Sequence, residues 1–376
     1  MPLTEEQVRT ALGGVQDPEI RRPITELGMV KGVQVAPDGA VTVQVWLTVS
    51  GCPLREVITR EVTGAVSALP GAGPVTVELD VMGDAQRRAL QASLRGDAPA
   101  NEIPFAKPTS LTRVYAVASG KGGVGKSSVT VNLAVALAGR GLSVGVVDAD
   151  IYGHSVPRML GVTGRPTQVE QMIMPPTAHG VKVISIGMFT AGNTPVVWRG
   201  PMLHRALQQF LAEVYWGDLD VLLMDLPPGT GDIAISVAQL VPTAEILVVT
   251  TPQQAAAEVA ERAGAIALQT HQQIVGVVEN MSWLELPDGS RLEVFGAGGG
   301  RAVAAALSTA LGTAIPLLGQ VPLDVRMRQA GDDGTPVVLA EPGSPAAQAL
   351  VAVADQLASR QRGLAGRSLG LTPVRR

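Results

Sequence analysis

Apolar and polar positions alternate along the chain with two different textures, and the change comes near residue 111. From Ala40 to Ser50, Val41, Val43, Val45, Leu47 and Val49 fall on one face, and Thr42, Gln44, Trp46 and Thr48 on the other. A period of two predicts a half-buried strand. Helical spacing predicts a helix over Glu5 to Gly13, closed by the turn Asp17-Pro18-Glu19, and a second over about Leu54 to Leu69. A Pro/Gly turn and a strand from Val75 to Leu79 complete a small α+β domain over residues 1–95. The stretch 96–110 (GDAPANEIPFAKPTS) holds three prolines and no periodicity, and is expected to be a linker.

From Leu111 onward, short apolar β-branched runs alternate with longer helical patterns. The runs are Val114–Ala118, Val144–Asp148, Val181–Ile186, Val221–Asp225, Ile246–Thr250 and Ile274–Val278. Strands that are apolar on both faces, separated by helices, predict an α/β domain over 111–362 with a mainly parallel sheet covered by helices on both faces. The tail 363–376 (GLAGRSLGLTPVRR) carries three glycines and a proline, so it is a poor helix former. It is expected to be a flexible basic end, solvated or in weak contact with an anion.

Charge and composition narrow the classes. Of 376 residues, 29 are Lys or Arg and 33 Asp or Glu, a formal charge of −4. That balance argues against a sequence-independent nucleic-acid coat. A single cysteine excludes a disulfide framework, and any zinc or iron–sulfur site built from several cysteines of one chain. The start MPLTEEQVRT lacks the pattern of a secretory signal, and no apolar run nears the ~20 residues of a membrane span. A cytoplasmic protein without membrane or nucleic-acid partners is expected. Only five residues are lysine (Lys31, Lys107, Lys121, Lys126, Lys182), and two of them share one glycine-rich loop. A compact ammonium is not interchangeable with a guanidinium where a point charge must fit among phosphates.

That loop, Gly120-Lys121-Gly122-Gly123-Val124-Gly125-Lys126-Ser127, followed by Ser128, matches G-x-x-x-x-G-K-[ST]. A predicted strand runs into it and a predicted helix, Ser127 to Ala138, leaves it. Successive backbone N–H groups must curve inward around a β-phosphate, which demands unusual backbone angles and no Cβ in the way. The helix N-terminus adds its positive dipole end, Lys126 a charge for the β/γ oxygens, and the Ser127 hydroxyl a ligand for Mg²⁺. The expected cofactors are ATP and Mg²⁺. Two acidic segments follow predicted strands: Asp148-Ala149-Asp150, and Asp225-Leu226-Pro227-Pro228-Gly229-Thr230-Gly231-Asp232. Strand ends of open α/β sheets are where ligands gather. Taken alone, such aspartates serve equally as helix N-caps.

Lys121 is additional to the general pattern, and Lys-Gly-Gly-Val-Gly-Lys-Ser-Ser resembles the deviant phosphate loop of the SIMIBI ATPases, which include MinD, ParA, nitrogenase iron protein and the Mrp/ApbC group. The segments Asp148 to Pro157, Trp198-Arg199-Gly200-Pro201-Met202, Asp225 to Asp232, Glu279-Asn280-Met281-Ser282 and Leu318 to Asp324 are similar to the Mrp/ApbC iron–sulfur carriers. The N-terminal unit resembles the SufT-type iron–sulfur-assembly domain through Asp17-Pro18-Glu19, Pro23 to Val30 and Gly51-Cys52-Pro53-Leu54. The resemblance implies a homodimeric, slowly hydrolysing ATPase that helps pass clusters to apo iron–sulfur proteins or an assembly scaffold. It implies that Lys121 reaches the partner's nucleotide, that Asp225 lies near Mg²⁺ with Ser127, that Asp150 positions the attacking water, and that Asn280 contacts adenine beside Pro322–Asp324. Gly229 and Gly231 would let the second switch segment move.

The chain departs from the family at one point. A Cys-x-x-Cys is expected shortly after Asn-Met-Ser, and here Leu286 and roughly Gly289 stand in its place. Pro287-Asp288-Gly289 reads as a hairpin turn, and apolar or turn residues cannot hold iron. Cys52 is either a small semi-buried residue or a contact for a client or a transient cluster, and a dimer supplies two such thiolates where a tetrathiolate cluster needs four. His154, His179, His204 and His271 lack metal-ligand spacing. The second reading is a MinD/ParA-like positioning or adaptor protein without a cluster. A third, a small-molecule kinase or synthetase, lacks a recognisable acceptor site.

Overall fold

The computed structural model describes residues 3–18, 20–48, 55–95, 102–107, 109–150, 153–189, 200–229, 232–253 and 256–360. In chain order the elements begin with α1 (Glu5–Leu12), β1 (Val30–Val35), β2 (Val41–Leu47), α2 (Arg55–Ser67), β3 (Val75–Val81) and α3 (Asp84–Arg95). There follow β4 (Arg113–Ala118), α4 (Lys126–Ala138), β5 (Val144–Asp148), α5 (Val156–Met159), β6 (Thr167–Val169), β7 (Met172–Met174), β8 (Thr177–Ala178) and β9 (Val181–Ser185). Next come α6 (Gly200–Ala212), β10 (Val221–Asp225), α7 (Asp232–Leu240), β11 (Glu245–Thr250), α8 (Ala256–Thr270) and β12 (Ile274–Glu285). The chain ends with β13 (Arg291–Leu292), α9 (Gly299–Leu311), β14 (Leu317–Leu323), α10 (Val325–Asp332), α11 (Val337–Ala340) and α12 (Pro345–Ser359).

The chain forms two compact units. In the first, β2 is the middle strand of three, antiparallel to β1 and parallel to β3. Its burial alternates as its sequence does, with Val41, Val43, Val45 and Leu47 inside. They pack with Val8 and Leu12 of α1 and Ile58, Val62 and Val66 of α2. A capping box between Thr4 and Gln7 starts α1. Residues 166–175 and 213–217, which the sequence reading placed in the second domain, group with this first unit. The β6–β7 hairpin adds Val169, Met172 and Met174 to its core. A domain of about a hundred residues has little core of its own, and this recruited apolar hairpin enlarges it.

The second unit is built on a nine-stranded sheet ordered β13-β12-β11-β4-β10-β5-β9-β8, with β14 beside β12. Its central pairs are parallel. Every residue of β5, β9 and β10 is buried, so both faces of the sheet are covered. Helix α4 is buried along most of its length, and Val129, Leu133 and Leu137 join the core that α12 completes with Leu350, Val353 and Leu357. Within the expected linker, Pro104–Ala106 forms a single 3₁₀ turn whose Phe105 is buried. A run read as ending at Val278 continues as β12 to Glu285, because it pairs beyond that point with β14 and β13. Met281, at φ 57°, bends it there, and the ladder to β14 shifts register between Asn280 and Leu284. The turn Pro287-Asp288-Gly289 closes the β12–β13 hairpin as expected: Leu286 N donates to Ser290 O at 2.9 Å, with Gly289 at φ 81°.

Candidate functional site: a phosphate-binding loop at the sheet's carboxyl edge

The loop 120–127 leaves β4 and enters α4, whose N-cap, Gly125, has φ 78°. Gly123 shares that conformation, which side-chain-bearing residues rarely adopt. A Cβ on Gly120 would lie 2.6 Å from Cγ2 of Val259 on α8, and one on Gly125 would collide with the Asn280 amide. Gly120 is therefore fixed by space, Gly123 by backbone angle, and Gly125 by both. When amides curve inward, carbonyls turn outward, and three of them are met by side chains. Arg262 Nη1 donates to Gly120 O at 3.0 Å, Ser119 Oγ to Lys121 O at 3.0 Å, and Asn280 Nδ2 to Val124 O at 2.9 Å.

Beneath the loop, strand register sets a row of polar groups across the sheet. Asp225 on β10 pairs with Val117 on β4 and Asp148 on β5, and Asp148 pairs with Ser185 on β9. Asp225 has no exposed surface. Its Oδ2 accepts from Ser127 Oγ at 2.6 Å and its Oδ1 from Thr130 Oγ1 at 2.9 Å. Lys126 Nζ, itself buried, stands 2.7 Å from Oδ1 but makes no aligned hydrogen bond to any group. Asp148 accepts from Ser185 Oγ and from Asp150 N. Burial first, and the Asp225 carboxylate second, push its pKa well above the usual carboxylate range.

A cavity of about 190 Å³ opens over this row, lined by Lys121, Gly122, Gly123, Val124, Gly125, Lys126, Ser127, Ser128 and Asp150. A second, of about 240 Å³, shares Gly125, Ser128 and Met159 with it and continues to Asn280, Met281, Pro322, Leu323, Asp324 and Met327. The structure thus gathers Lys121 to Ser128 of the sequence-derived loop and Asp150 around one chamber, with Asn280 in an adjoining apolar one. Lys121 Nζ donates to Gln253 Oε1 within the same chain. Cys52, Trp198, Arg199, Thr230 and Gly231 lie outside the described residues. Thr130, Arg262 and Gln253 were not singled out from sequence. Thr130 lies one helical turn beyond Lys126, a spacing that offered a signal; the other two offered none.

The donor set fits Mg²⁺. That ion is held by hard oxygens, commonly one or two carboxylates together with substrate phosphates, and Ser127 and Asp225 place a hydroxyl and a carboxylate side by side. Among the described residues, no group of three or more His, Cys, Asp or Glu is placed to hold a metal ion by itself. No described helix is long and apolar enough to cross a membrane.

A parallel sheet carrying a glycine loop, a buried lysine and a serine–aspartate pair at its carboxyl edge defines a P-loop NTPase. Residues 110–358 match the family of NUBPL iron-transfer P-loop NTPases, and residues 5–79 the iron–sulfur cluster assembly protein family. A relative from Mycobacterium tuberculosis named iron-sulfur cluster carrier protein is 69% identical over 369 residues, covering 98% of this chain and 97% of the relative. A Synechocystis relative of the same name is 40% identical over 366 residues, covering 95% and 98%. Among solved structures, a nucleotide-binding protein from Archaeoglobus fulgidus in complex with ADP is 34% identical. It has a TM-score of 0.51, covering 61% of this chain and 92% of that one. The chain belongs to the iron–sulfur cluster carrier family of P-loop NTPases.

Proposed function

We propose that this chain binds and hydrolyses ATP with Mg²⁺ as a nucleotide-switched homodimer, and that it carries iron–sulfur clusters or assists their transfer to apoproteins. The observation that carries this reading is an intact, sterically fixed phosphate loop in a chain whose two parts both match iron–sulfur families. The loop amides and Lys126 grip the β- and γ-phosphates, where the lysine's charge is paired with Asp225. Ser127 and Asp225 would hold Mg²⁺, which when bound neutralises charge on the phosphate oxygens. Asp150, in the same chamber, orients the attacking water. With one Asn280 Nδ2 hydrogen committed to Val124 O, this residue can offer a base its Oδ1 as an acceptor. An acceptor there suits the exocyclic amine of adenine and opposes the carbonyl of guanine.

Lys121 acts on the partner's nucleotide in the closed dimer, after leaving Gln253. Extra positive charge near the γ-phosphate stabilises charge spread over its oxygens. The cluster is cargo. Leu286 and Gly289 occupy the places of the family's thiolates, so a client or scaffold completes the cluster's ligands and Cys52 is a contact for it. The test is activation of an apoenzyme that regains activity only with a four-iron cluster. Under anaerobic iron and sulfide, the full chain with MgATP is expected to speed activation. No acceleration in any nucleotide state contradicts the carrier role, and a stoichiometric four-iron cluster surviving Cys52→Ala contradicts the ligand reading.

A further inference from the structure

Glu279, like Asp148 and Asp225, is a carboxylate without exposed surface, and neither the phosphate chemistry nor the cargo uses it. It stands on β12 in register with Thr250 of β11 and Gln320 of β14. Its Oε2 accepts from Gly300 N, at the start of α9, at 2.5 Å, and its Oε1 accepts from Gln320 Nε2 at 2.7 Å. A buried carboxylate is costly unless its oxygens are met by donors, and here an amide from a helix N-terminus and a side-chain amide meet them. The fit is close: a Cβ on Gly300 would come 2.7 Å from Glu279 Cβ, and one on Gly299 would come 2.6 Å from Thr251 O. The next residue, Asn280, points its amide at the phosphate loop. Successive strand residues face opposite sides, so fixing Glu279 on the α9 side fixes Asn280 on the loop side. Immediately afterwards Met281 bends the strand, and Ser282 Oγ returns to Glu279 O at 3.1 Å.

The geometry points to Glu279 as a positioning residue for nucleotide selection: clamped by Gly300 N and Gln320, it holds the Asn280 amide in the orientation that accepts an adenine amine and braces Val124. This rests on the nucleotide reading above and adds to it the residue that sets base discrimination. Gln320→Glu replaces the donor with a second carboxylate facing the first. Adding Glu279→Gln reverses the pair, because the new amide accepts from Gly300 N with its oxygen and donates with its nitrogen to the carboxylate introduced on β14.

The experiment measures MgATP and MgGTP affinity of the full-length protein by calorimetry, with thermal unfolding of each variant as the control. Gln320→Glu is expected to weaken MgATP about tenfold and to narrow the preference over MgGTP, and the double exchange to recover MgATP to within about threefold. In an Asn280→Ala background, Gln320→Glu is expected to cost no further affinity, since Glu279 acts through Asn280. If Gln320→Glu does not fold, Gln320→Met, which deletes the donor without adding charge, is expected to give a smaller loss of about threefold, again absent in the Asn280→Ala background. A folded Gln320→Glu or Gln320→Met that binds MgATP and MgGTP as the wild type does overturns the inference. So does a loss of equal size with and without Asn280. A wild-type chain that takes up no MgATP at all overturns the nucleotide reading instead.

Discussion

Asp148 and Asp225 end adjacent strands side by side, and Asp225 faces Lys126 while Asp148 is met by Ser185 and the Asp150 amide. Two buried carboxylates side by side cannot both ionise freely, and the penalty falls on Asp148, whose pKa burial raises well above the ordinary value of 3.8. Between the ordinary value and the raised one, the folded state holds more protons than the unfolded, so stability is full at low pH and declines as pH rises through the raised value. Asp148→Asn keeps an acceptor for Asp150 N and a partner for Ser185 while removing the charge. Chemical unfolding of this variant between pH 4 and 8 is expected to lack a component of that decline seen in the wild type, and an unchanged pH profile would count against the buried pair. Lys126 and Ser127 were legible in sequence because a phosphate loop tolerates few alternatives, and Asp225 because it closes an apolar strand. Arg262 and Gln253 were not, because they meet Gly120 O and Lys121 across 142 and 132 residues, and no local pattern encodes such a distance.

The elements most legible in the sequence are the strands that carry the site. Val144–Asp148 and Val221–Asp225 are apolar up to their final aspartate because both faces are covered, and the structure keeps those bounds. Strand β1 escaped because Val30–Val35 is short and interrupted by Lys31 and Gly32, and its pairing with β2 decides its state. Strands β6 and β7, three residues each, make sense only against the first unit's core. Helix α3 is amphipathic but lies beside the proline-rich stretch, which masks its pattern in the sequence. Helix α4 supports the loop from below, and its Leu133 is fully buried within the main core. Leu133→Ala is expected to lower unfolding free energy by about 3 kcal/mol through the cavity it leaves. Urea denaturation checks this, and a cost below about 1 kcal/mol would mean that α4 is packed more loosely than described.

At the scale of the molecule, the two family matches fall in the order that the sequence pattern suggested, with the change of texture near residue 111 close to the start of the NTPase match at residue 110. The chain-wide likeness to proteins named as cluster carriers favours the carrier reading over the positioning-protein alternative. What sequence could not foretell is the division of the chain, since residues 166–175 and 213–217 group with the first unit by packing alone. The proposed dimer makes a specific demand of Lys121. Mixed dimers of Lys121→Ala and Lys126→Ala chains contain one protomer that still binds ATP and a partner that still supplies Lys121. They are expected to regain about half the wild-type hydrolysis rate per dimer, although each parent is nearly inactive. Inactive mixtures, with subunit exchange verified, would place the lysine's action within its own chain.

The grip of the Gly120–Ser127 loop on a nucleoside triphosphate underlies every proposed step, and calorimetric titration of the full-length protein with MgATP tests it most directly. The wild type is expected to bind one ATP per chain. Lys126→Ala, folded by circular dichroism, is expected to bind at least about a hundredfold more weakly, as befits losing a charge-assisted contact inside a buried site. Equal affinity in the two proteins, or no uptake by the wild type, would contradict that grip.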